Sequence, residues 1–222
     1  MKKKFNTFVA ALLVGAAAIG CSAAQAQSAE VYGAVGTEGL GAGLGYSFNN
    51  YTNLRAEVDG FSLSHNFNAG DLHYDAKLKL IHGALLGDFF PAPSVFPIRL
   101  TAGILVGGDS VDGTATSMNG TYTLNGVTVA SGGESINAKL KFPTVRPYVG
   151  LGFGHNPTKN GLSVAFDAGV AFGKPHVSFD VPANIVAAAG QSNVDAEEQS
   201  LQSKANKFKV YPIVKVAVTY RF

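Results

Sequence analysis

Hydrophobic and polar positions alternate along most of this chain, and the clearest run is its last eleven residues. Pro212, Val214, Val216, Val218, Tyr220 and Phe222 share one parity; Ile213, Lys215, Ala217, Thr219 and Arg221 share the other. Successive strand side chains point to opposite faces, so this segment is a strand with one apolar and one mostly polar surface. The same alternation recurs over 31–37, 40–48, 52–61, 74–90, 96–107, 136–154 and 162–172. In 40–48 the apolar set Leu40, Ala42, Leu44, Tyr46 and Phe48 opposes Gly41, Gly43, Gly45 and Ser47. Glycine on one face makes room where an opposing side chain approaches. In 52–61, Arg55, Glu57 and Asp59 oppose Leu54, Ala56 and Val58. The pattern blurs at His82-Gly83, where a bulge is expected, and changes parity between Pro143 and Pro147, where a kink is expected.

Eight segments make an even number of strands, as a closed antiparallel barrel requires. Their connections alternate in length: those at 49–51, 91–95 and 155–160 are short, and those at 62–73, 108–135 and 173–209 are long. Outer-membrane barrels keep short periplasmic turns and longer external loops, so both chain ends belong on the periplasmic side. Phe48, Phe90, Phe96, Tyr220 and Phe222 then form an aromatic girdle near that rim. The long connections have structure of their own. Asn125-Gly126 between two β-prone runs, 121–124 and 127–130, predicts a type I′ hairpin beyond the rim. In the last connection Asp195 and Glu198 form a capping box, and Val194, Leu201 and Phe208 recur every seven residues. That spacing predicts a short helix, solvated or lying in the barrel mouth or on lipid.

Composition decides what surrounds the apolar faces. Lys2, Lys3 and Lys4, the apolar run 8–19 and Ala24-Gln25-Ala26 read as an export signal over residues 1–26, with lipidation at Cys21 as the rival processing. The mature domain is then 27–222. Losing that segment takes three of the 17 basic residues and none of the 15 acidic ones, leaving a net charge of −1. The slight basicity of the whole chain therefore belongs to the signal, and a nucleic-acid partner loses its support. The sole cysteine leaves with it, which excludes a disulfide framework and a thiolate metal site. No later apolar run is long enough for a helical span. The expectation is an all-β fold: an eight-stranded antiparallel up-and-down transmembrane barrel in the bacterial outer membrane, with a short helix in its last external loop. A soluble β-sandwich, with the apolar faces packed on each other, is the alternative. Tyr220 and Phe222 at the end of an alternating strand resemble the assembly signal of bacterial outer-membrane barrels. The partners expected are outer-membrane lipid and the barrel-assembly machinery.

Continued through every strand, this parity points Arg55, Glu57, Asp59, Lys77, Lys79, Arg99, Lys139, Lys141, Asp167 and Lys215 into the lumen. Basic groups outnumber acidic ones in that set, which argues against a cationic solute. A barrel of this size is just wide enough for side chains to fill. Two readings follow: ion pairs staple the lumen shut, or a narrow path passes small polar solutes. Catalysis and cofactors are not expected. Of His65, His73, His82, His155 and His176 only His82 falls within a barrel strand, no serine lies at a partnering position, and no zinc spacing or phosphate-cradling loop occurs.

Four segments carry a family resemblance: Gly36-Thr37-Glu38-Gly39, Arg146-Pro147-Tyr148-Val149-Gly150-Leu151-Gly152-Phe153-Gly154, Gly173-Lys174-Pro175 and Tyr211-Pro212-Ile213-Val214-Lys215-Val216. They are similar to the carbapenem-resistance-associated outer-membrane proteins, the CarO-type ornithine-uptake porins. The chain departs from that family in ending Tyr220-Arg221-Phe222 and in having no tryptophan. The resemblance implies an eight-stranded barrel that helps small basic amino acids cross the outer membrane. Porin-like passage of small polar solutes is the expected function, and a non-conducting barrel acting through its external loops is the alternative.

Overall fold

Alternation along each segment makes strands, and strands with one wet and one dry face close on themselves. A computed structural model describes residues 28–222; the predicted export signal and Cys21 lie outside them. Eight strands form the ring: β1 (Ala29–Gly36), β2 (Gly39–Asn49), β3 (Thr52–Ala69), β4 (Leu72–Phe89), β5 (Ile98–Gly107), β10 (Val145–Phe153), β11 (Gly161–Phe172) and β13 (Val210–Arg221). All neighbours are antiparallel. Pairing of β1 with β13, from Glu30 opposite Arg221 to Gly36 opposite Lys215, closes the barrel. The apolar parity faces outward: Leu162 is 77% exposed, Leu40 68% and Val58 62%. The opposite parity is buried, and β13 alternates strictly from Ile213 to Arg221.

Five more strands and two helices stand above the rim. β4 pairs with β5 only over 82–89; over 72–79 it pairs with β6 (Ser110–Ser117). β6 in turn pairs with β9 (Ser135–Lys141), and β9 with β12 (His176–Asp180). The hairpin β7 (Thr121–Leu124) and β8 (Val127–Ala130) turns through Asn125 and Gly126, whose φ values of 48° and 84° fit the predicted type I′ turn. It folds over the inner face of this sheet together with α1 (Ala183–Ala189) and α2 (Gln191–Ala205). Tyr122, Leu124, Val129, Ile136, Ile185, Ala189 and Val194 form the apolar core of this external unit.

Several expected details differ. Residues 62–73 are not a loop but the upper halves of β3 and β4, joined by a tight turn at Gly70 and Asp71. No bulge occurs at His82-Gly83, since β3 and β4 keep one register throughout. The chemistry changes there instead. Above residue 80 the outer face of β4 meets water and the inner face meets the external core, so Leu72, Tyr74, Ala76, Leu78 and Leu80 turn inward. Below it the outer face is apolar, through Ile81, Leu85 and Phe89. The break at 142–144 between β9 and β10 has the same origin: the chain changes partners there while even-numbered residues stay inward on both sides. The helix begins at Gln191 after Gly190, not at Asp195, and no side-chain cap is formed. Asp195 instead accepts a hydrogen bond from Gln191, and Phe208 is exposed beyond the helix end. Phe90 is fully buried, so Phe89 takes its place in the girdle of Phe48, Phe96, Tyr220 and Phe222.

Candidate functional site, the barrel lumen

The inward faces of the eight strands bring charged side chains from distant sequence into one column. At mid-height Arg55 on β3 holds Asp88 on β4 through Nε at 2.7 Å and reaches Asp167 on β11 at 3.2 Å. Arg99 on β5 bridges the same two carboxylates from the other wall. Thr101 donates to Asp88 at 2.7 Å, so each acid is multiply bonded. Toward the periplasmic end Arg221 donates to Glu30 at 3.0 Å and to the carbonyl of His155 at 3.2 Å, and the His155 ring contacts Glu30. Toward the external end the Lys215 ammonium touches Glu38 and Glu57, each at 2.6 Å, and Asp59 at 3.0 Å. The His82 ring lies 2.8 Å from Glu38 and 3.1 Å from Asp109, and Arg146 also pairs with Asp109.

Each pairing is the condition for burial, because an uncompensated charge out of water costs several kcal/mol. The guanidiniums of Arg55 and Arg99 are 1% and 0% exposed. Glycines on the neighbouring strands make room for the inward side chains: a Cβ at Gly152 would lie 2.5 Å from the guanidinium carbon of Arg99, and one at Gly43 would strike the Tyr32 ring. Between the mid-height and external layers, the cavity lined by Glu57, Tyr148, Asp167 and Lys215 has a volume of about 10 Å³, barely one water.

Two acids of the upper cluster lie in the connections above the strands. Burial raises the Asp109 carboxyl, but the hydrogen bond and charge of His82, the Ile81 N–H and Arg146 outweigh it and bring it down to about 2. Glu38, in the turn between β1 and β2, is likewise raised by burial and lowered further by His82 and Lys215, ending below its usual value.

Of the ten charged residues predicted to face inward, Arg55, Glu57, Asp59, Arg99, Asp167 and Lys215 are buried inside the barrel. Lys77, Lys79, Lys139 and Lys141 are not: they are exposed on the outer face of the external sheet. Treating polar parity as inward along the whole strand misplaces them, because above the membrane the wet side is the outside. The lumen also holds Glu30, Glu38, His82, Asp88, Asp109, Arg146, His155 and Arg221. Seven carboxylates thus face five Arg and Lys side chains and two imidazoles, so the interior is not net basic. Arg221 was legible on the polar face of the last strand. Asp88 was hidden by the blurred parity of β4. His155 comes from a turn, at φ 53°, and nothing local in the sequence directs it inward. Glu38, Asp59 and His82 place ligand atoms within 4.8 Å of one another. The Lys215 ammonium already occupies the cation position beside the two acids, so a metal would have to displace it.

An outer belt of apolar side chains around a filled, ion-paired interior defines a barrel of the outer-membrane type. No family model matches the chain, and no curated protein matches it by sequence. Among solved structures the chain is similar to CarO of Acinetobacter baumannii, with 18% identity and a TM-score of 0.56 over 87% of this chain and 97% of that one. It is also similar to CarO2 of the same organism, with 20% identity and a TM-score of 0.57 over 87% and 98%. At this identity the likeness is one of fold, and the fold is the one the sequence resemblance implied.

Proposed function

We propose that this protein is a sealed barrel integral to the bacterial outer membrane, without catalytic activity, whose working part is the external sheet and helix unit. The observation that supports this reading is the tetrad of Arg55, Asp88, Arg99 and Asp167, which crosses the bore from four strands. Passage of small polar solutes would require those pairs to separate inside a low-dielectric wall, leaving charges uncompensated. The barrel serves instead as an anchor, and its long connections carry the external unit. Export through a cleaved signal and recognition of the Tyr220–Phe222 end by the assembly machinery belong to the same reading.

Liposome swelling with neutral, acidic and basic amino acids tests it. Vesicles carrying the folded protein are expected to swell no faster than empty ones for all three classes. Swelling selective for any of them would return the reading to porin-like passage.

A further inference from the structure

The external sheet has two edges, and the chain treats them differently. β12 is five residues long, and α2 covers it: Gln202 accepts from the Val177 N–H at 2.8 Å and donates to the Pro175 carbonyl at 2.9 Å. One side-chain amide thereby takes up the backbone groups at the start of that edge. The other edge is the upper half of β3. β2 stops pairing with it at Leu40 opposite Gly60, yet β3 continues to Ala69. Residues 61–69 are all exposed.

The direction of the backbone groups follows from the ladder. Phe90 donates to the carbonyl of Tyr51, so odd-numbered residues of β3 turn their backbone groups toward β4. The carbonyls of Val58 and Gly60 lie against β2, and that of Glu57 against β4, in the same alternation. Beyond Gly60 the even-numbered residues Ser62, Ser64, Asn66 and Asn68 therefore aim both N–H and C=O at the open edge. Exposed edges are ordinarily guarded by lysine, proline, inward charge or a bulge. The segment Phe-Ser-Leu-Ser-His-Asn-Phe-Asn-Ala has none of these.

A row of unpaired backbone donors and acceptors selects one kind of ligand, another extended backbone. The two faces specify its side chains. Inward, Phe61, Leu63 and Phe67 are 42–52% exposed, and the rings of His65, Phe67 and Tyr74 stack in series. Outward, Ser62 and Ser64 stand opposite Lys79 and Lys77. These two lysines have no ion-pair partner within 4 Å among the described residues, whereas Lys139 is paired with Asp112 at 3.0 Å. Small serines leave their ammonium groups within reach of the next strand. A second copy in the same membrane does not fit antiparallel, because its β3 also runs outward. We infer that the edge at residues 61–69 is an augmentation site for an extended segment of another polypeptide, with apolar side chains facing in and carboxylates facing out. This rests on the external unit being the working part of the protein.

The test uses the mature chain folded in nanodiscs and two capped decapeptides, one alternating Val and Glu, the other Val and Lys. Hydrogen exchange resolved to single amides is the readout. The amides of Ser62, Ser64, Asn66 and Asn68 are expected to exchange fast in the free protein and about tenfold more slowly with the Val-Glu peptide. Those of Leu63 and His65 are held by β4 throughout. The Val-Glu peptide should bind about fivefold more tightly than the Val-Lys peptide, a ratio that shrinks with added salt. Asn66→Pro removes an edge-directed N–H without touching the β3–β4 ladder and should weaken binding, with heat-modifiable folding unchanged. Binding without protection of the even-numbered amides, binding of neither peptide, or equal binding of both would overturn the proposal. A silent barrel that binds no peptide overturns the edge alone; a conducting barrel overturns the sealed lumen whatever the peptide does.

Discussion

Asp88 is the side chain on which most of the lumen turns, because it neutralises two buried guanidiniums at once. Asp88→Ala leaves Arg55 and Arg99 to share Asp167, and the expected loss of stability is about 3–5 kcal/mol, measured as a shift of the urea unfolding midpoint in lipid. Lys79→Ala is the contrasting change. That side chain is exposed above the membrane, so the midpoint should stay within about 0.5 kcal/mol of wild type. Gly152→Ala probes packing rather than charge: its Cβ would meet the Arg99 guanidinium, and overpacking of this kind costs about 1–3 kcal/mol. Asp109 supplies a pH dependence. Its carboxyl is held at about 2 against an ordinary 3.8. A depressed carboxylate contributes stability that is complete above the unfolded value and lost as pH falls through the folded one. The wild-type midpoint should therefore drop between about pH 4 and pH 2, and Asp109→Asn should lack that part of the slope.

At the scale of elements, β13, β11 and β5 were legible because one face meets a single environment from end to end. Val214, Val216 and Val218 are exposed and Lys215, Ala217 and Thr219 buried, as period two requires. β4 was not, since it crosses from water into the apolar belt between Leu80 and Ile81 and its apolar face changes side without any change of register. The same crossing hid the upper half of β3, whose Ser-Leu-Ser-His-Asn-Phe-Asn alternation reads as a polar loop until β4 is placed beside it. α1, Ala183–Ala189, is too short to show a helical period, and α2 begins ahead of Asp195 because Gly190, not an acidic cap, sets its beginning. The external unit has its own core. Tyr122 donates its hydroxyl to the carbonyls of Ala115 and Glu134 from within that core. Val194→Asp places a carboxylate among those apolar side chains and should open the unit while sparing the barrel. Limited proteolysis should then cut between residues 173 and 209, with the heat-modifiable mobility shift retained.

For the molecule as a whole, the pieces follow from one arrangement: hydrocarbon around the lower strands, water around the upper ones, and paired charge inside. It explains why an interior that is filled tolerates twelve Asp, Glu, Arg and Lys side chains and two imidazoles, and why Lys77 and Lys79, on a strand of the barrel wall, and Lys139 and Lys141, on the external strand β9, stay outside it. It also accounts for the external sheet, which inverts its apolar face to build a second core above the rim. Nitroxide labels placed one at a time at 77, 79, 81, 85 and 89, exposed positions on the outer face of β4, test that arrangement most directly. In liposomes the labels at 77 and 79 should be quenched by a water-soluble nickel complex, and those at 81, 85 and 89 by oxygen dissolved in the bilayer. Nickel quenching continuing down to 89, or protein shielding both probes along the lower half, would contradict it.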